Sequence, residues 1–136
     1  MNEYISFCIT KIRDLLIAFK SELSSDKWET YTPQNPNGML NVTFINGVLN
    51  VLRLLIENNK ISDIQNYKEK LKDIDKFDFK KYKSSQYRKM GKDIYAKYFE
   101  NAIWFNESCL LTKNDYLICF WYFILFFQIT ISHKRF

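Results

Sequence analysis

Apolar residues recur at steps of three and four along most of this chain. Between positions 4 and 23 they are Ile5, Cys8, Ile9, Ile12, Leu15, Leu16, Phe19 and Leu23, which lie in one stripe of a helical period. Lys11, Arg13, Asp14, Lys20 and Glu22 fall on or near the other side. A second helix is predicted over 41–58 from Phe44, Ile45, Val48, Leu49, Leu52, Leu55 and Ile56, with Asn41 as its N-cap. Gly47 inside it costs about 1 kcal/mol relative to alanine, and its missing side chain permits close approach of another helix.

Ser62-Asp63-Ile64-Gln65 has the form of a capping box and starts a third helix near Asp63. Its apolar stripe, Ile64, Tyr67, Leu71 and Ile74, is thin, so this helix is expected to be peripheral. Phe77-Asp78-Phe79 alternates like a short extended piece or a turn. A fourth helix is predicted from Ser84 or Ser85. Tyr87, Met90, Gly91, Ile94, Tyr95, Tyr98 and Phe99 form its apolar face, and Arg88, Lys89, Lys92, Asp93 and Lys97 lie opposite. The stretch 24–40 holds both prolines and one of the three glycines, and reads as the main linker-like loop. Trp28 and Tyr31 are expected to pin it to the core.

Thr112 to Asp115 again resembles a capping box, ahead of the uncharged run YLICFWYFILFFQITI at 116–131. A helix apolar all round is buried or in a membrane. The run is just shorter than the ~17–25 residues of a spanning helix. Trp121 and Tyr122 lie mid-run, away from where interfacial aromatics belong. A buried or partner-contacting helix is the leading reading and a membrane anchor the alternative. Together these segments predict a single all-α domain over 1–136, an irregular bundle of four to five helices with a strongly apolar C-terminal helix. Helices one, two, four and five should supply most of its core.

Composition agrees with this class. Gly (3) and Pro (2) are scarce and aromatic residues reach 18%, against disorder and against a loop-rich sandwich. Abundant Lys, Asn, Ile, Phe and Tyr also follow from AT-rich coding, so part of the excess carries no functional meaning. The net charge of +5 is uneven. Residues 1–60 balance, with six side chains of each sign, whereas 61–100 carry eleven positive and seven negative. A local basic patch points to nucleic acid or anionic lipid, and a solvated helix face explains it equally well.

The patch is densest between 76 and 92. Lys76, Lys80, Lys81, Lys83, Arg88, Lys89 and Lys92 surround Phe77, Phe79, Tyr82 and Tyr87, with Asp78 and Asp93 as the opposing charges. Cations interleaved with aromatics neutralise phosphates and stack on bases. The candidate nucleic-acid contacts are therefore Lys80, Lys81, Lys83, Arg88, Lys89 and Lys92 for phosphate, and Tyr82 and Tyr87 for stacking. Ser85 adds a hydroxyl near a helix N-terminus, where anions are favoured; capping is the simpler role for Ser84 and Ser85.

Little else suggests chemistry. Cys8, Cys109 and Cys119 form neither an even set nor a CxxC pair, so no disulfide framework or zinc motif is expected. Cys8 and Cys119 sit in apolar runs as small hydrophobes, and a reducing, cytoplasmic setting follows, with no signal peptide. The acceptor patterns at Asn41 and Asn106 are then chance matches. His133, the one histidine, sits beside Lys134 and Arg135 in a terminal tail. Asp73 with Asp78-Phe79-Lys80 loosely matches the acidic-x-Lys pattern of metal-dependent nucleases, but the residues before it read as helix rather than the β-hairpin that site needs. No catalytic residue, cofactor or metal is expected.

NVTFINGVLNVLRLLIE at 41–57 and KSSQYRKMG at 83–91 give the chain a resemblance to a known group. It resembles the helical C-terminal part of DGQHR-domain proteins, a prokaryotic group associated with DNA sulfur modification and phage defence. The similarity covers about residues 40–99. The Asp-Gly-Gln-His-Arg motif of that group's main domain is absent. The resemblance implies a detached C-terminal helical portion with a DNA-linked role and no catalysis. Three functions are carried forward. The first is a non-enzymatic module with a basic face that binds DNA or RNA, or an accessory part of a DNA-directed defence protein. The second is a small tail-anchored membrane protein. The third is an oligomerisation or protein-interaction module working through 116–131.

Overall fold

The computed structural model describes residues 2–102 and Trp121. Four α-helices follow in order: α1 (Asn2–Glu22), α2 (Val42–Glu57), α3 (Ile64–Lys70) and α4 (Tyr87–Ile94). Short 3-10 turns over Ile74–Lys76, Phe79–Lys81 and Ser84–Gln86 join α3 to α4. α4 continues into a π turn over Tyr95–Phe99. Extended pairing among the described residues is limited to one isolated bridge, Thr32 to Asn35. The expected all-α class is observed. The run 116–131 lies outside the described residues apart from Trp121, which is helical and exposed. Among the described residues no helix is long and apolar enough to cross a membrane.

The helix ends follow from local chemistry. Asn41 Oδ1 accepts the Phe44 N–H at 2.9 Å, as its N-cap position predicts. α2 stops where Asn59 turns left-handed at φ 55°. There the Lys60 N–H bonds Leu55 O at 2.8 Å and the Asn59 N–H bonds Ile56 O at 3.2 Å, which satisfies two carbonyls that a helix end leaves open. α3 is capped differently from the expected Ser62–Gln65 box. Asp63 Oδ1 accepts the Asn66 N–H at 2.8 Å. Ser62 is instead buried, donating its N–H to Tyr67 Oη at 2.9 Å and accepting from the Asn66 amide at 2.7 Å.

The buried apolar side chains form one cluster, with α2 in the middle. α1 packs on α2 and on α3. The expectation that α3 is peripheral does not hold: Tyr67, Leu71 and Ile74 are fully buried. A thin stripe suffices because α1 packs against α3. On α1 the buried stripe runs through Cys8, Ile12, Leu15, Ala18 and Phe19, while Ile5 and Ile9 stay about half exposed at 49% and 54%. Asp14, expected outside, is buried beside Arg13. Cys8 is buried as a small hydrophobe would be, yet it is disulfide-bonded and its thiol is not free. The other two cysteines of the chain lie outside the described residues.

The 24–40 stretch is clamped rather than slack. Asp75 accepts the Ser24 N–H and hydroxyl, each at 2.9 Å, and pairs with Lys27 Nζ at 3.1 Å. The Ser24 N–H bond, more than any other contact, holds the Asp75 carboxyl below its usual range. Trp28 meets Phe44 edge-on at 5.7 Å and anchors the loop. Tyr31, expected to do the same, is 67% exposed.

α4 crosses α2 at two glycines. A Cβ on Gly91 would lie 2.8 Å from the Gly47 carbonyl oxygen and 2.7 Å from Asn50 Nδ2. A Cβ on Gly47 would meet only the Met90 terminal methyl, at 2.5 Å. Asn50, itself buried, donates through Nδ2 to Arg88 O at 3.0 Å. The close approach expected of Gly47 is thus realised, with the tighter half of the contact on Gly91. Gly91→Ala is therefore expected to lower stability by about 1–3 kcal/mol through overpacking against backbone. Gly47→Ala should change it by less than about 1 kcal/mol, because Met90 can move and alanine favours the helix. Denaturant unfolding of the two variants checks this order; equal losses would contradict it.

Candidate nucleic-acid interface

The basic segment is built from two 3-10 turns and the first turns of α4. Asp78 starts the first turn by accepting the Lys80 N–H at 3.2 Å. The second is closed by Gln86, whose Oε1 accepts the Lys83 N–H at 2.9 Å. Gln86, not Ser84 or Ser85, supplies the side-chain bond at this helix start. On α4, Met90, Gly91 and Ile94 face inward. Arg88 and Lys92, four residues apart, share the outward face with Lys89 beside them.

All seven cations between 76 and 92 are exposed, and so is Ser85. Lys76 is committed to Asp73 at 3.0 Å, which lowers the Asp73 pKa and raises its own. Lys80 Nζ donates to Pro36 O at 2.5 Å, bridging the turn to the 24–40 loop. Arg88 lies over the Tyr87 ring at 5.8 Å. Lys83, Lys89 and Lys92 form no ion pair among the described residues. Five of the six predicted phosphate ligands thus precede or open α4 without a carboxylate partner there, and Lys92 follows one turn later. The solvated cations can meet phosphate oxygens without first breaking a salt bridge.

The aromatic residues are used otherwise than the sequence suggests. Tyr82 is half-buried, its ring stacked on Phe77 at 6.0 Å with an interplanar angle of 5°. Its hydroxyl donates to Asp93 Oδ2 at 2.5 Å. Burial, and then Asp93, push its pKa well above the ordinary tyrosine value. Lys81 Nζ stands 5.0 Å from the Tyr82 ring and 5.7 Å from Phe77. Lys97 approaches Phe77 at 6.0 Å and Tyr98 at 5.3 Å. Ring faces here meet each other and lysine ammoniums, so Tyr82 acts as a strut between the turn and α4. Tyr87, partly exposed under Arg88, retains a freer ring.

The nuclease-like pattern does not assemble. Asp73 is held by Lys76, Asp78 caps a 3-10 turn, and the segment is helical rather than a β-hairpin. Among the described residues no group of acidic, histidine or cysteine side chains is arranged to hold a metal ion. His133 lies outside the described residues.

Tyr31, expected from the sequence to anchor its loop, stands exposed instead. It borders a cleft of about 370 Å³ between the 24–40 loop and the 3-10 turns, which Lys80, Tyr82 and Ser84 also line. Its one signal is its place among Thr, Pro and Asn residues with no apolar period to draw it inward. No protein-family profile matches the chain, and no curated protein or solved structure is significantly similar to it.

The Tyr82–Asp93 bond has a titration signature. A raised folded pKa means that Tyr82 contributes stability below the unfolded value near 10 and loses it as pH rises toward the folded value. Absorbance titration is expected to show Tyr82 ionising late. Tyr82→Phe should reduce that late step by one tyrosine and cost about 1 kcal/mol. Unchanged late ionisation in Tyr82→Phe would assign the shift elsewhere.

Proposed function

We propose that this chain is a non-enzymatic helical module that binds nucleic acid through its basic face. Lys80, Lys81, Lys83, Arg88, Lys89 and Lys92 contact phosphate, and Tyr87 lies against the strand. The observation that carries this reading is the exposure of all these cations on one short segment backed by the α2–α4 crossing. Phosphate contacts position a strand without reading its sequence, so binding is largely sequence-independent. The resemblance to the C-terminal part of DGQHR-domain proteins supports a role as an accessory piece of a DNA-directed defence protein.

Counterion release makes the reading quantitative. Six contacts to a single strand give a log–log salt slope of about −4, at about −0.7 for each phosphate neutralised. Replacing Lys80, Lys81, Lys83 and Arg88 together with alanine removes about 3 of that slope and most of the affinity. Fluorescence anisotropy across a salt series measures both. Unchanged affinity and slope in the quadruple variant would sink the proposal.

Self-association is the second reading, favoured by the exposed Ile5, Ile9 and Ile17 on α1. Glu3 near one end of α1 and Lys20 near the other are complementary when two copies pair antiparallel. Light scattering that shows a monomer at micromolar concentration removes it.

A further inference from the structure

We infer that the cleft beneath Tyr31 takes one unstacked nucleobase of a single strand whose phosphates lie on the basic turns. This inference rests on the nucleic-acid reading above and names its ligand class more closely. The cleft holds about 370 Å³, within the ~300–1,000 Å³ of small-ligand sites. Its floor is apolar, formed by Met39, Phe44 and Met90, all buried side chains. Methionine sulfur and an aromatic edge suit the flat face of a base. The rim is polar: Thr43 and Ser84 each offer a hydroxyl that donates and accepts. Such adaptable groups bond a base edge without selecting one base.

Two features tie the cleft to a strand. Lys80 lines it and belongs to the same turn as Lys81, so a phosphate held on this turn lies beside the cleft. Tyr31 stands at that mouth 67% exposed, the most solvent-accessible large aromatic of residues 2–102. An apolar ring that wets this much surface gains most by covering a ligand face. Of the rings nearer the lysines, Tyr82 is engaged against Phe77, while Tyr87 stays partly exposed beneath Arg88. Stacking therefore extends from Tyr87 on the basic segment to Tyr31 on the loop opposite it. Duplex bases are stacked and paired and cannot enter, so the cleft favours single strands.

The test measures anisotropy of a labelled single-stranded 12-mer, its duplex, and a 12-mer of abasic sugar-phosphate, using wild type, Tyr31→Ala and Tyr31→Trp. Unfolding curves that match wild type confirm that each variant folds. The expected result is a loss on the order of tenfold in single-strand affinity for Tyr31→Ala, with the salt slope unchanged. Tyr31→Trp should restore it, and the abasic strand should bind wild type and Tyr31→Ala alike. Equal single-strand affinity of wild type and Tyr31→Ala, with salt-dependent binding retained, overturns the cleft and leaves the phosphate reading standing. Absence of salt-dependent binding to any strand overturns both.

Discussion

The contact on which the described structure turns is the crossing of α2 and α4 at Gly47 and Gly91. Backbones meet there because neither residue has a side chain to hold them apart. The space admits Asn50, whose amide reaches from the middle of α2 to the Arg88 carbonyl at the start of α4. A buried amide without that partner costs on the order of 1–3 kcal/mol, so the bond fixes where α4 begins. Non-directional packing alone does not specify a register; a glycine gap and one directional bond do.

That register decides what the basic segment presents. With Gly91, Met90 and Ile94 turned inward, Arg88, Lys89 and Lys92 must point outward. The turns before α4 are pulled in by Phe79 against Phe44, whose rings sit 5.5 Å apart edge-on, and by Tyr82 bound to Asp93. Drawing the rings inward leaves the lysines between them in solvent. At the far end, Lys60 donates to the Phe99 carbonyl at 2.9 Å and lies 5.3 Å from the Tyr95 ring. A cation on the last carbonyls of the π turn meets the negative end of the helix. α4 is thus tied to α2 at its start and to the segment after α2 at its end.

Much of this was readable from residue spacing. The α2 limits, the Asn41 cap, the Gly47 approach and the inward face of α4 follow from period and side-chain chemistry, which are local. The failures are all tertiary. Whether a thin stripe such as Tyr67, Leu71 and Ile74 is covered depends on where α1 lies. A stripe wide enough for two partners, as on α1, does not say that Cys8, Ile12, Leu15 and Phe19 are buried while Ile5 and Ile9 stay half exposed. The interleaving of rings and lysines at 77–87 was legible as composition, but not as geometry. Phe77 stacks on Tyr82 and Lys81 covers both, so the most suggestive stacking residue is spoken for, whereas Tyr31 was misassigned because an aromatic in a loop usually anchors it.

The central claim is that the α2–α4 crossing and the basic segment behind it form one cooperative unit. Native-state hydrogen exchange resolved by residue tests it most directly. Amides of α2 near Gly47 to Leu52 and of α4 near Met90 to Ile94 are predicted to exchange only through the same global opening, with the same denaturant dependence. If the α4 amides exchange through a separate opening of much lower free energy while α2 stays protected, the crossing does not hold the segment in place, and the account of how its cations are presented fails.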